Sequence, residues 1–138
     1  MSLQLDLSSF QSVRTFADQI KVHLKTQKIH ALIHNAGVSF LDGCTQDGYQ
    51  RVWQVNAMAP ALLTELLLPN ILPDTGRVVW VSSEMHRFCW GSTIVKQCPP
   101  NKEGGKSVFD YALSKACQIM QANELASRSE PEIGRAHV

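Results

Sequence analysis

GRVVWVSS, residues 76–83, is the stretch that most restricts what this chain can fold into. It is β-branched and apolar without the polar alternation of a half-exposed strand, the pattern of a strand covered on both faces, and such strands belong to parallel sheets. A parallel neighbour cannot be reached through a hairpin, so the chain must cross over the sheet, usually by a helix. The flanking sequence meets that demand. IHALIHNAG (29–37) reads as a second strand ending in a glycine turn, and residues 45–68 between the two carry a long helical pattern with Pro60 inside it. That proline is expected to kink the helix or end its first half. Upstream, SSFQSVRTFADQIKVHLK (8–25) spaces Val13, Phe16, Ala17, Ile20 and Leu24 along one face of a helix, capped by Ser8 or Ser9. LQLDL (3–7) before it reads as a short strand. Residues 84–106 hold no strong period, CPPNKEGGK (98–106) marks a loop, and Ser107 with Asp110 forms an S-x-x-D capping box where YALSK begins. The succession of strand, helix, strand, helix, strand, loop and helix predicts an α/β fold with a parallel sheet and right-handed crossovers.

A sheet of this kind needs a core, and composition supplies one. With 44% hydrophobic and 18% charged residues, the chain has the balance of an ordinary globular domain or a piece of one. With a net charge of +1, nothing in the composition suggests a nucleic-acid or membrane-surface partner. The most apolar run, 57–73, is interrupted by Thr64, Glu65 and three prolines. It falls short of the ~20 apolar residues of a membrane span and reads as a buried helix. Cys44, Cys89, Cys98 and Cys117 form no CxxC pair and lie near no histidine cluster of ligand spacing. Reduced thiols are therefore expected, with no disulfide framework and no metal site. The first residues show no basic stretch followed by an apolar one, so no secretory signal is read there.

Chemistry enters with FDYALSKACQIM (109–120). Tyr111 and Lys115, four apart on a helix, project from one face, and an ammonium near a phenol favours the phenolate. A tyrosine so placed can give a proton to a carbonyl oxygen or take one from an alcohol. The structural alternative is a packed tyrosine and a solvated lysine. Ser82 and Ser83 fall at the C-terminal end of the best strand, the edge of a parallel α/β sheet where ligands bind, although a strand-end serine can equally cap a turn. Asn35, Ala36 and Gly37 end the neighbouring strand, where a glycine lets backbone approach a flat ligand or simply makes a turn. Asn56, mid-helix among apolar residues, is an odd choice unless its amide is used, and a buried hydrogen bond to a neighbouring strand would satisfy it.

LDL, HNAG, VNAMAP, GRVVWVSS and YALSK occur in one order and on matching elements, and residues 3–127 resemble the short-chain dehydrogenase/reductase family in them. The resemblance implies a Rossmann-like doubly wound parallel sheet and an oxidoreductase that moves hydride between NAD or NADP and a small carbonyl or alcohol substrate. It implies that Tyr111 is the general acid/base, that Lys115 lowers its pKa and bonds the nicotinamide ribose, and that Ser83 positions the substrate oxygen. Asn56 would hold the helix and a water for proton relay. Asn35, Ala36 and Gly37 would line the adenosine and ribose side of the cofactor, and Asp6 would contact the adenine. The second serine is chosen over Ser82 by the family pattern alone. His34 stands where the family often has asparagine, and Ala59 where it often has glycine. Ser83 and Tyr111 are 28 positions apart, further than in the commonest members, so residues 84–106 are an inserted loop beside the substrate pocket. VVWVSSEMHRF with such a loop is similar to the branch of retinol dehydrogenases and WW-domain oxidoreductases, many of which act on apolar carbonyl compounds. Some of its members are membrane-anchored and others cytoplasmic. In the family, the helices matching 45–68 and 107–127 often form a homodimer face.

One family element is not in the sequence. The TGxxxGxG turn, whose backbone N–H groups bind the pyrophosphate, does not occur. The resemblance makes residues 1–127 a partial domain that opens at the third strand and stops after the catalytic helix. In the order 3-2-1-4-5-6, LQLDL is then expected to lack a neighbour and IHALIHN to present an open apolar edge. Residues 128–138 read as a tail, in which IGRAHV (133–138) looks like the in-frame translation of a sequencing-library adapter. Such a fragment is expected to turn over no substrate. The alternative function is a non-catalytic binding or dimerisation module.

Overall fold

The computed structural model describes residues 2–89 and 108–128. Helix α1 spans Phe10–Leu24, strand β1 Ala31–His34, α2 Arg51–Trp53, α3 Ala59–Leu67, β2 Arg77–Trp80 and α4 Val108–Arg128. A π-helical turn, Gln54–Met58, joins α2 to α3, and 3-10 turns occupy Leu68–Asn70 and Glu84–Phe88. β1 and β2 pair in parallel, with Leu32 opposite Val78 and His34 opposite Trp80. The α/β class and the parallel crossover expected from the sequence are present.

Alternating positions set the two faces of this sheet. His34, Val78 and Trp80 are buried, whereas Ile33 remains 60% exposed on the opposite face. Trp80 and Val78 pack against Ala122 and Leu125 of α4 and against Ile71. A second cluster joins Val13 and Ala17 of α1 to Ala59, Leu63 and Leu67 of α3. Ser9, one of the two serines expected to cap α1, does so by accepting the Ser12 N–H. The expectation that GRVVWVSS is covered on both faces is only half met, because no described element packs over the Ile33 side.

Two other expectations are corrected. Residues 3–7 keep the strand alternation, with Leu3, Leu5 and Leu7 partly buried and Gln4 and Asp6 exposed, yet they pair with no strand. Leu5 and Leu7 instead lie against the α1–α3 cluster. A strand needs a partner for its N–H and C=O groups, and among the described residues none reaches it, as the family's strand order led one to expect. Helix formation over 45–68 begins only at Arg51, because residues 45–50 form a turn with Gly48 at a φ of +82°. The helical backbone runs on past Pro60, which stands as the second residue of α3 just after the π-helical turn. Because proline has no N–H, the Asn56 carbonyl gets no bond from it, and Gln118 Nε2 donates there at 2.7 Å. Ser107, the loop beyond Cys89, Cys98 and IGRAHV lie outside the described residues. Cys44, Cys89 and Cys117 are thiols.

Candidate active site

The C-terminal ends of β1 and β2 meet the first turns of α4, and Asn56 joins them. Its side chain is wholly buried. Oδ1 accepts the Val38 N–H at 2.8 Å, while Nδ2 donates to the Val38 carbonyl at 2.8 Å and to Ser114 Oγ at 3.0 Å. The amide thereby clamps the chain just after β1 to the helix that carries Tyr111 and Lys115. A buried hydrogen bond was one of the two readings open for this residue, and its partner proves to be the loop after the strand. The third residue of the N-A-G triplet is part of the same arrangement. A Cβ built on Gly37 would sit 3.3 Å from Asn56 Oδ1 and 3.5 Å from Lys115 Nζ, so the absence of a side chain there keeps a space open. Asn35, Ala36 and Gly37 are all exposed.

Lys115 is not the solvated lysine of the structural alternative. It is 4% exposed, and Nζ donates to the Val81 carbonyl at 2.8 Å. Its ammonium lies 5.6 Å from the centre of the Tyr111 ring, so the pair expected from the four-residue spacing does form. Burial pushes the Lys115 pKa down, because the charged form has lost water. This one donated bond leaves two ammonium N–H donors for other partners. The two serines diverge. Ser82 Oγ donates to the Lys115 carbonyl at 3.0 Å, fastening the strand end to α4. Ser83 caps the 3-10 turn by accepting the Met85 N–H at 3.3 Å, and its hydroxyl proton meets no acceptor among the described residues. That turn packs against α4.

Asp6 is separate from this cluster but faces the same strand end. Its carboxylate accepts from the backbone N–H and hydroxyl of Ser8 at 2.8 and 2.7 Å, and those bonds hold its pKa below the usual carboxylate value. A cavity of about 350 Å³ is lined by Asp6 and Ser8 on one side, by Ala36 and Gly37 on another, and by Arg51 and Val55 of the long helical run. Of the residues chosen from the sequence, Asp6, Ala36 and Gly37 line this cavity, Gly37 adjoins Asn56 and Lys115, Tyr111 lies beside Lys115, Asn35 lines a neighbouring cavity, and Ser83 caps the turn after β2. Sequence reasoning missed Ser114 and Gln118, whose polar groups are buried on α4 and serve Asn56. Their spacing of four on one helix face, three and seven positions from Tyr111, was the available signal.

A sequence profile described as short chain dehydrogenase matches residues 1–95. The chain belongs to the short-chain dehydrogenases. Among curated relatives of this short-chain dehydrogenase, the WW domain-containing oxidoreductase of Gallus gallus is 36% identical over 94% of the chain and 33% of its own length. The SDR family member FEY of Arabidopsis thaliana is 31% identical over 96% of the chain and 36% of its own length. The chain therefore spans about a third of the curated relatives it matches. Among solved structures, an uncharacterised protein of Mycobacterium paratuberculosis superposes with a TM-score of 0.71 at 30% identity, covering 91% of this chain and 43% of that one. A blue fluorescent protein from a metagenomic library, solved in complex with NADPH, gives 0.65 at 26% identity over 92% and 46%. The incomplete Rossmann-like α/β fold agrees with these.

Proposed function

We propose that this chain carries the catalytic part of an NAD(P)-dependent oxidoreductase that interconverts a carbonyl and an alcohol. The observation that carries the reading is the placement of the Lys115 ammonium, which is buried, held by the Val81 carbonyl, close to the Tyr111 ring and beside the opening left by Gly37. A lysine serving only solubility would not be buried at this cost. The cofactor fits the residues present on the same observation, because a side chain at position 37 would intrude on the space in front of Asn56 and Lys115. Asp6, Asn35, Ala36 and Gly37 would hold the adenosine side, and Lys115 and Tyr111 the nicotinamide side. The nicotinamide supplies or accepts the hydride.

The protein's own part is proton handling and orientation. Tyr111 gives its phenolic proton to the carbonyl oxygen during reduction, and the neighbouring ammonium stabilises the phenolate left behind. The uncommitted proton of Ser83 donates to the same substrate oxygen and fixes its position. Asn56 keeps the loop after β1 and α4 in register, so the two halves of the site stay aligned. The substrate is a small carbonyl or alcohol compound. A homodimer would pair through α3 and α4.

In protein extended to the length of its relatives, Tyr111→Phe should abolish turnover while cofactor affinity, followed by nucleotide fluorescence, changes less than about twofold. Equal turnover in the variant removes the assignment. Loss of cofactor binding together with turnover would give Tyr111 a binding role instead.

A further inference from the structure

The loop before α2 makes contacts that the chemistry above does not use. Thr45 N–H bonds the Tyr49 carbonyl at 2.8 Å and Gly48 N–H bonds the Thr45 carbonyl at 3.0 Å, closing a tight turn. The turn aims Asp47 at the start of α1, 37 positions earlier in the chain. Asp47 Oδ2 accepts the Phe10 backbone N–H at 2.8 Å and Gln54 Nε2 at 2.7 Å. Gln54 Nε2 also lies 3.4 Å from the Leu7 carbonyl, and Gln54 Oε1 accepts from the Thr45 hydroxyl. The Phe10 and Tyr49 rings pack 5.6 Å apart beside these bonds.

A carboxylate at a helix N-terminus satisfies an unpaired N–H and the helix dipole, and capping is normally done by a residue next to the helix. Ser9 already fills that place. Asp47 comes from a distant loop and shares one oxygen between α1 and a fully buried glutamine of the π-helical turn. The connection continues on the α1 side. Asp6 N–H donates to Ser12 Oγ at 3.0 Å, and the Asp6 carbonyl accepts the Ser9 N–H at 3.3 Å, so the backbone of Asp6 is fixed to the first turn of α1. At its other end, Gln54 is the neighbour of Val55, which with Arg51 lines the same cavity as Asp6, and its Nε2 also reaches the carbonyl of Leu7, another lining residue. Asp47 and Gln54 therefore form a strut between two walls of one cavity.

We propose that Asp47 and Gln54 are positioning residues that set the spacing of the nucleotide cavity, holding the Asp6 wall at the distance the adenine half of the cofactor requires. The inference rests on the nucleotide-binding reading above. It is tested with adenosine monophosphate and nicotinamide mononucleotide titrated separately into the whole chain, followed by amide NMR. Adenosine monophosphate is expected to shift Asp6, Ala36 and Gly37. Asp47→Ala and Gln54→Leu should each weaken it about tenfold, whereas Asp47→Asn, whose amide oxygen can accept both bonds, should stay within about threefold. Nicotinamide mononucleotide, read at Lys115, should bind all variants equally. Gln54→Leu leaves the carboxylate on the Phe10 N–H, so it separates a strut from a simple cap. If it binds adenosine monophosphate as the unaltered chain does, the strut is overturned. A parallel loss of both mononucleotides overturns it too, since that is general destabilisation. Should Asp47→Ala fail to fold, Gln54→Leu and Asp47→Asn decide by the same criteria. Absence of any shift at Asp6, Ala36 and Gly37 in the unaltered chain removes the nucleotide reading itself, and the strut with it.

Discussion

Acid should weaken this fold through one histidine. His34 ends β1 with its ring 6% exposed and 5.4 Å from the Trp80 ring. Its Nε2 lies 2.7 Å from Thr64 Oγ1, and the Thr64 hydroxyl donates its single proton to the Pro60 carbonyl at 2.9 Å. Nε2 must then be the donor, so the neutral ring carries its proton there. Burial pushes the pKa from 6.5 to about 4, because a charged imidazolium beside Trp80 has lost its water. The folded state binds this proton more weakly than the unfolded chain. Stability is fully present above pH 6.5 and is lost as pH falls, until both states are protonated near pH 4. The whole interval corresponds to about 3 kcal/mol, of which about 2 kcal/mol is gone by pH 5. Urea unfolding of the chain and of His34→Gln, at half-unit steps between pH 7 and 4, isolates this group, because other titrating groups cancel in the difference. The unaltered chain should lose that stability relative to the variant, and His34 Cε1–H should titrate near 4 by NMR. Parallel pH profiles, or an NMR midpoint above 6, would refute the argument.

Three further outcomes can be measured in the same way. Asn56→Ala removes a wholly buried amide and leaves the Val38 N–H and carbonyl without their partner, and should cost about 3 kcal/mol in urea unfolding. Gln118→Leu should destabilise by about 1–2 kcal/mol by orphaning the Asn56 carbonyl, and Pro60→Ala should recover part of that by restoring a backbone N–H; strict additivity in the double variant would deny that the two share one acceptor. For Lys115, burial lowers the folded pKa, so above it the unfolded chain holds a proton that the folded chain has released. Stability of the unaltered chain should therefore rise relative to Lys115→Met as pH climbs toward 10.5, and a flat difference would show that the ammonium is not desolvated.

The helices and strands that announced themselves did so through period and punctuation. Val13 and Ala17 marked the buried face of α1, Ser9 its start, and the β-branched run its place beside β1. Tyr111 and Lys115 were legible because a spacing of four is a contact on any helix. LQLDL shows the limit of alternation, which records which face is buried, while the missing partner strand was legible only from the family's strand order. The late start of α2 had a signal, the Asp47–Gly48 pair, which favours a turn over a helix. Asp47 reaching Phe10 had none, since a contact across 37 positions is set by how the turn and α1 pack. The π-helical turn before Pro60 was equally hidden, because the carbonyl of Asn56, which proline cannot serve, is taken by Gln118 from a helix 62 positions away.

The bonds that assemble the site share a destination. Asn56 to Ser114, Ser82 to Lys115 and Lys115 to Val81 span 58, 33 and 34 positions, and each ends on α4. Closing such loops is entropically expensive, so contacts of this separation tend to form late in folding. The site then has the lifetime of α4's docking rather than of the chain as a whole. During synthesis, β1, β2 and the helices before them can be complete while Gly37 still faces an empty space, and the pocket comes into being in one step when α4 docks.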